Sequence, residues 1–104
     1  MIIHGNLNNF NQEILSSNSL VIIDFWAPWC VPCKMLSSLL EQSSSKFPDI
    51  KIIKINVDEF PAIASQFNIQ SLPTLLFVKN GKIRNSYEGF MPANILDKRI
   101  EKAI

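Results

Sequence analysis

Cysteine and histidine are nearly absent: the 104 residues include two cysteines, Cys30 and Cys33, and one histidine, His4. Two cysteines cannot build the disulfide framework of a small secreted scaffold. Even with the histidine they fall short of the four ligands of a structural zinc, so no metal is expected. Charge of one sign is equally scarce, with ten Lys and Arg against nine Asp and Glu for a net charge of +1. No basic excess exists to neutralise phosphates, which argues against nucleic acid as a partner. Uncharged apolar runs stay far below the ~20 residues that cross a bilayer, which argues against a membrane role. The start, Met1-Ile2-Ile3-His4-Gly5-Asn6, shows neither a basic stretch nor a long apolar segment, so a cytoplasmic location is expected. Repeats, low-complexity tracts and linkers are also missing.

What is present is a core-forming composition, 47% hydrophobic and 18% charged. Disordered chains combine low hydrophobicity with high net charge, and this chain has neither. At about 100–200 residues per domain, residues 1–104 read as a single domain. Asn9 followed by Gln12 resembles a capping box, opening a short helix through Ile14 and Leu15 that Ser16-Ser17-Asn18-Ser19 breaks. Leu20 to Trp26 is β-branched and aromatic without alternation, the pattern of a strand buried on both faces, and Pro28 closes it. From Cys33, apolar residues at Met35/Leu36, Leu39/Leu40 and Phe47 follow helical spacing until Pro48. Ile50 to Val57 reads as a second buried strand. Asp58 is placed to cap a helix through Ala62, Ile63 and Phe67, with Pro61 in its first turn. Thr74 to Val78 is a strand, Asn80-Gly81 a hairpin turn, and Ile83 to Glu88 the returning strand that Gly89 ends. Pro92 starts a last helix carrying Ile95, Leu96 and Ile100. The order β-α-β-α-β-α-β-β-α implies parallel pairing of the strands that helices separate, plus one antiparallel hairpin. The fold class is therefore α/β, a mixed central sheet with helices on both faces.

One motif carries chemistry: Trp26-Ala27-Pro28-Trp29-Cys30-Val31-Pro32-Cys33-Lys34, where a buried strand ends and a helix begins. Two cysteines three apart in a first helical turn bring their Cα atoms within the ~4.4–6.8 Å that a disulfide allows. The start of a helix presents free N–H groups and a partial positive charge, which would stabilise a thiolate at Cys30. Cys33 lies one turn deeper and is expected to be more shielded. Cys30 thus reads as the attacking sulfur and Cys33 as the resolving one. Pro32 has no N–H to lose there and pre-sets the helical φ.

At this point the chain resembles the thioredoxin family. The likeness rests on Asp24-Phe25-Trp26-Ala27, on Trp29-Cys30-Val31-Pro32-Cys33-Lys34, on Pro73-Thr74 after Leu72, and on Lys79-Asn80-Gly81 and Gly89. It implies the thioredoxin fold and a redox-active Cys30–Cys33 disulfide. Pro73 matches a cis-proline beside the cysteines, and the backbone before it is expected to pair with an extended substrate segment. Asp24 matches a buried carboxylate that takes up and returns the proton of Cys33, and burial should raise its pKa. Lys54 matches a lysine that moderates that burial. Trp29, Val31, Pro32, Leu72, Pro73, Gly89 and Phe90 are expected to form an apolar rim around Cys30. Trp26 is read as orienting the motif.

The resemblance further implies a monomer that binds no cofactor and reduces protein disulfides. Electrons would come from NADPH through a flavin-containing thioredoxin reductase, and peroxiredoxins and other thiol enzymes are expected substrates. The chain has no Gly-x-Gly-x-x-Gly for a dinucleotide. Four positions depart from the family: Val31 and Ser71 replace glycines, Ser38 replaces a helix-kinking proline, and Phe90 stands where many relatives have alanine. These departures point to a specialised or second thioredoxin. An oxidant or isomerase of the same fold, and a non-catalytic binding module, remain as alternatives.

Overall fold

The computed structural model describes residues 1–15 and 18–104, so the expected break at Ser16-Ser17 lies outside the described residues. Chain order is β1 (Ile2–His4), α1 (Phe10–Leu15), β2 (Val21–Trp26), α2 (Val31–Lys46), β3 (Lys51–Asn56), α3 (Pro61–Gln66), β4 (Thr74–Lys79), β5 (Lys82–Glu88) and α4 (Ala93–Ala103). The strands form one five-stranded sheet in the order β1-β3-β2-β4-β5. This is the expected element order and the expected mixed sheet.

One pairing differs from expectation. β1 and β2 both run parallel to β3, but β4 is antiparallel to β2 although α3 separates it from β3. The reason is length. A six-residue helix spans about 9 Å and a six-residue strand about 20 Å, so α3 cannot carry the chain back along the sheet. β4 therefore begins at the end where β3 stopped, with Thr74 opposite Phe25, and runs down to Val78 opposite Val21. The hairpin to β5 turns at Asn80 and Gly81, both with positive φ (53° and 76°), as a two-residue turn of this hand requires.

The central strands β3, β2 and β4 are covered on both faces of the sheet, while the edge strand β5 is exposed. Alternation along β2 sends Leu20 and Ile22 to one face and Val21, Ile23 and Phe25 to the other. The first face packs on Leu36 and Leu40 of α2 and Leu96 and Ile100 of α4. The second packs on Phe10 of α1 and Ile63 of α3. α2 and α4 are tied by Asp97, which accepts from Ser43 Oγ at 3.0 Å and from Lys46 Nζ at 2.6 Å.

Two expected caps are replaced. At α1 the Asn6 side chain accepts from the N–H groups of Asn8 and Asn9, and Asn9 Oδ1 accepts from Asn6 N–H, in place of an Asn9–Gln12 box. At α3 the N-cap is Phe60 and not Asp58. Pro61 takes the first helical position and keeps the residue before it out of the helical region (Phe60 φ −125°, ψ 63°), so the cap falls at 60, two residues past the aspartate.

Phe77 is fully buried on the α2/α4 face and meets Tyr87 edge-on at 5.1 Å. Phe77→Ala should destabilise the fold by about 3–5 kcal/mol in denaturant unfolding, because a ring-sized cavity is left between sheet and helices.

Candidate active site

The site begins where β2 runs out. Trp26 is the last strand residue, Cys30 N–H donates to Ala27 O at 3.1 Å, and α2 starts at Val31. Cys30 is the N-cap of α2. Its backbone is extended, and its sulfur accepts from Cys33 N–H at 3.3 Å. Pro32 lies in the first turn, where a missing N–H costs no helical bond. Cys30 and Cys33 form a disulfide with Cα atoms 5.3 Å apart. Both are almost fully buried, 4% and 2% exposed, so depth hardly distinguishes them. Their surroundings do. Cys30 receives a helix-start N–H, the setting that lowers a thiol pKa. Cys33 instead lines a cleft with Lys54.

Around the pair, Trp29, Val31 and Phe90 are exposed large apolar residues, at 68%, 64% and 43%. Pro32 is exposed as well, Leu72 and Gly89 are half-buried, and Pro73 lies below the surface. The Leu72–Pro73 peptide is cis. Leu72 packs against Ala27, Cys30 and Cys33, as do Trp26 and Val57. Pro73 O accepts from Gly89 N–H at 2.8 Å, and Gly89 has a φ of +85° that a side chain would strain. Thr74 Oγ1 donates to Ser71 O at 2.7 Å, bracing the same loop. Trp29, Val57, Ala64, Ile69 and Leu72 line an open groove of about 390 Å³ beside the disulfide. α2 passes Ser38 without a break.

Two residues near the disulfide escaped the sequence reading. The Trp29 indole donates from Nε1 to Asp58 Oδ2 at 3.0 Å, which holds an otherwise exposed ring in place. Asp58 is delivered there by Asn56, whose side chain accepts from the Asp58 and Glu59 N–H groups. Met35, grouped with the core residues of α2 by its spacing, is 54% exposed. It stands one turn after Val31, and that four-residue spacing was the available signal.

Asp24 sits at the middle of β2, 1% exposed, on the face that α2 covers. Lys54 is its neighbour in register on β3, with Nζ 3.5 Å from Asp24 Oδ2. Neither carboxylate oxygen has a hydrogen bond. Burial pushes the Asp24 pKa from its ordinary 3.8 up to about 6, and Lys54 holds it from rising further. Lys54 Nζ donates instead to Ser37 Oγ and lies 5.5 Å from the centre of the Trp26 ring. Among the described residues, no group of three or more His, Cys, Asp and Glu is placed to hold a metal ion.

The raised Asp24 pKa has a consequence for stability. Folding favours the protonated form, so that contribution is complete below about pH 4 and is lost as pH rises through about 6. The gap corresponds to about 3 kcal/mol. Asp24→Asn should therefore stabilise the oxidised protein by up to about 3 kcal/mol at pH 8 and by almost nothing at pH 4, read from denaturant melts at both pH values.

The Thioredoxin family model matches residues 1–102. A thioredoxin of Chlorobaculum thiosulfatiphilum is 45% identical over 97 residues, covering 92% of this chain and 90% of its own length. Thioredoxin 1 of Synechococcus elongatus is 42% identical over 96 residues, covering 88% and 90%. A thioredoxin of Haemophilus influenzae is 38% identical over 104 residues, covering 95% and 97%. With a family match over nearly all its residues, and relatives this similar along nearly their full lengths, the chain belongs to the thioredoxin family.

Proposed function

We propose that this thiol-disulfide oxidoreductase works as a reductant of protein disulfides, and as a specialised or second thioredoxin. The observation that carries the reading is the Cys30–Cys33 disulfide at the start of α2, with a helix N–H aimed at the Cys30 sulfur. In the reduced protein the Cys30 thiolate attacks one sulfur of a substrate disulfide. A Cys30–substrate bond forms, the substrate S–S bond breaks, and the other substrate sulfur leaves as a thiolate that solvent protonates. Cys33 gives its proton to the Asp24 carboxylate and attacks Cys30 Sγ. The mixed disulfide breaks, the second substrate sulfur leaves, and Cys30–Cys33 closes. Two electrons have passed to the substrate.

Lys54 keeps Asp24 from becoming too basic, since its ammonium favours the ionised carboxylate. Trp29, Val31, Pro32, Leu72, Gly89 and Phe90 offer the partner an apolar face, and the backbone at Leu72–Pro73 offers an extended segment a strand partner. Val31 and Phe90 add bulk there and narrow the range of partners. The pair is returned to the dithiol by a flavin-containing thioredoxin reductase using NADPH, in the cytoplasm. Peroxiredoxins and other thiol enzymes are the substrates expected of such a chain.

Cys30→Ser should abolish insulin-disulfide reduction, and Cys33→Ser should stop at the mixed disulfide, visible as an adduct by mass spectrometry. Turnover by either variant would overturn the assignment of the two sulfurs. The reduction potential, measured in defined thiol buffers, is expected near about −270 mV; a value of about −180 to −120 mV would make the chain an isomerase or oxidant.

A further inference from the structure

We propose that Ser37 is a positioning residue: it tethers the Lys54 ammonium short of Asp24 and so keeps Asp24 able to take the Cys33 proton. The proposal rests on the reading of Asp24 as proton acceptor given above. Cys33, Ser37 and Glu41 are spaced by four along α2 and so share one helix face. All three line a cleft of about 260 Å³ that Trp26 and Lys54 close from the sheet side and His4 from β1. Ser37 is thus the hydroxyl one turn beneath the resolving sulfur.

The ammonium of Lys54 has three N–H groups and is 10% exposed at its side chain. In this desolvated setting, a lysine beside a buried carboxylate normally closes to about 2.7–2.9 Å. Here it stops at 3.5 Å, leaves both Asp24 oxygens without a hydrogen bond, and donates to Ser37 Oγ. The serine hydroxyl accounts for the gap. Lys34 and Glu41 of α2 and His4 of β1 also face the cleft, but from exposed positions where water screens them. Lys54 is therefore the charge that sets Asp24. A lysine released from Ser37 would bond to Asp24, stabilise its ionised form and make it a weaker base.

The test follows the Asp24 side-chain carboxyl carbon by NMR through a pH titration of the oxidised protein, in which neither cysteine titrates. Ser37→Ala should move the Asp24 midpoint down by about one pH unit, and Ser37→Thr, which keeps the hydroxyl, should restore it. A midpoint that stays or rises in Ser37→Ala, or that Ser37→Thr fails to restore, overturns the tether. A purely structural role would change unfolding without moving that midpoint. Asp24→Asn examines the underlying reading separately, through the pH profile of insulin reduction. If that profile is unchanged, Asp24 is not the proton acceptor, and a lowered midpoint in Ser37→Ala would then stand as a tether without a catalytic consequence.

Discussion

A strand that is buried on both faces and hydrogen-bonded along both edges has one place to be, and β2 is that strand. It pairs with β3 on one side and β4 on the other, and its first five residues are buried. The site is assembled by what this forces on its neighbours. Asp24 must lie in the interior under α2. Lys54 must lie beside it, because parallel register puts the two residues opposite each other. The chain leaving Trp26 must turn at the sheet end, and the cysteine at that turn becomes the cap of the helix above Asp24. β4 arrives with Thr74 opposite Phe25, which sets Pro73 and Leu72 at the same end, with Leu72 against the disulfide.

Two electrostatic devices of different size operate on the two sulfurs. The start of a helix stabilises a negative charge by roughly 0.3–1 kcal/mol when exposed and by up to about 2 when partly buried. That acts on Cys30 and needs only local structure. The buried carboxylate that serves Cys33 costs about 3 kcal/mol at neutral pH, by the gap between its ordinary and folded pKa. Fully burying one Leu, Ile or Phe side chain contributes roughly 1.5–3 kcal/mol, so one or two of the core residues on each sheet face offset it. The favourable helix-start effect comes with the secondary structure; the costly carboxylate needs the whole core around it.

Much of this was legible in advance. β2 and β4 announced themselves by apolar runs rich in β-branched and aromatic residues, because both faces of the sheet are covered there. The hairpin followed from Asn80-Gly81, which accepts the two positive φ values. The cysteine pair, its helix and Pro32 followed from spacing alone. Asp24 stood out as the one carboxylate in a buried strand. Errors arose where a residue's partner came from elsewhere in the chain. Asp58 has the chemistry of a helix cap, yet Pro61 moved the cap to Phe60 and freed the aspartate for the Trp29 indole. Met35 has core spacing, yet it is more than half exposed, one turn after Val31 on α2. Ser37 carries no signal at all in the sequence, since a serine on a helix gives no hint of a lysine seventeen residues away.

By itself the sequence determined the elements from α1 onward, the two sulfurs and the buried charge, because each depends on backbone propensity, periodicity or burial within a few residues. Tertiary structure alone decided the direction of β4, since that depends on how far α3 can travel across the sheet. It also decided the position of the Lys54 ammonium. A charge between a carboxylate, a hydroxyl and an indole settles by distances of a few ångström, and those distances exist only once two strands and a helix have packed together.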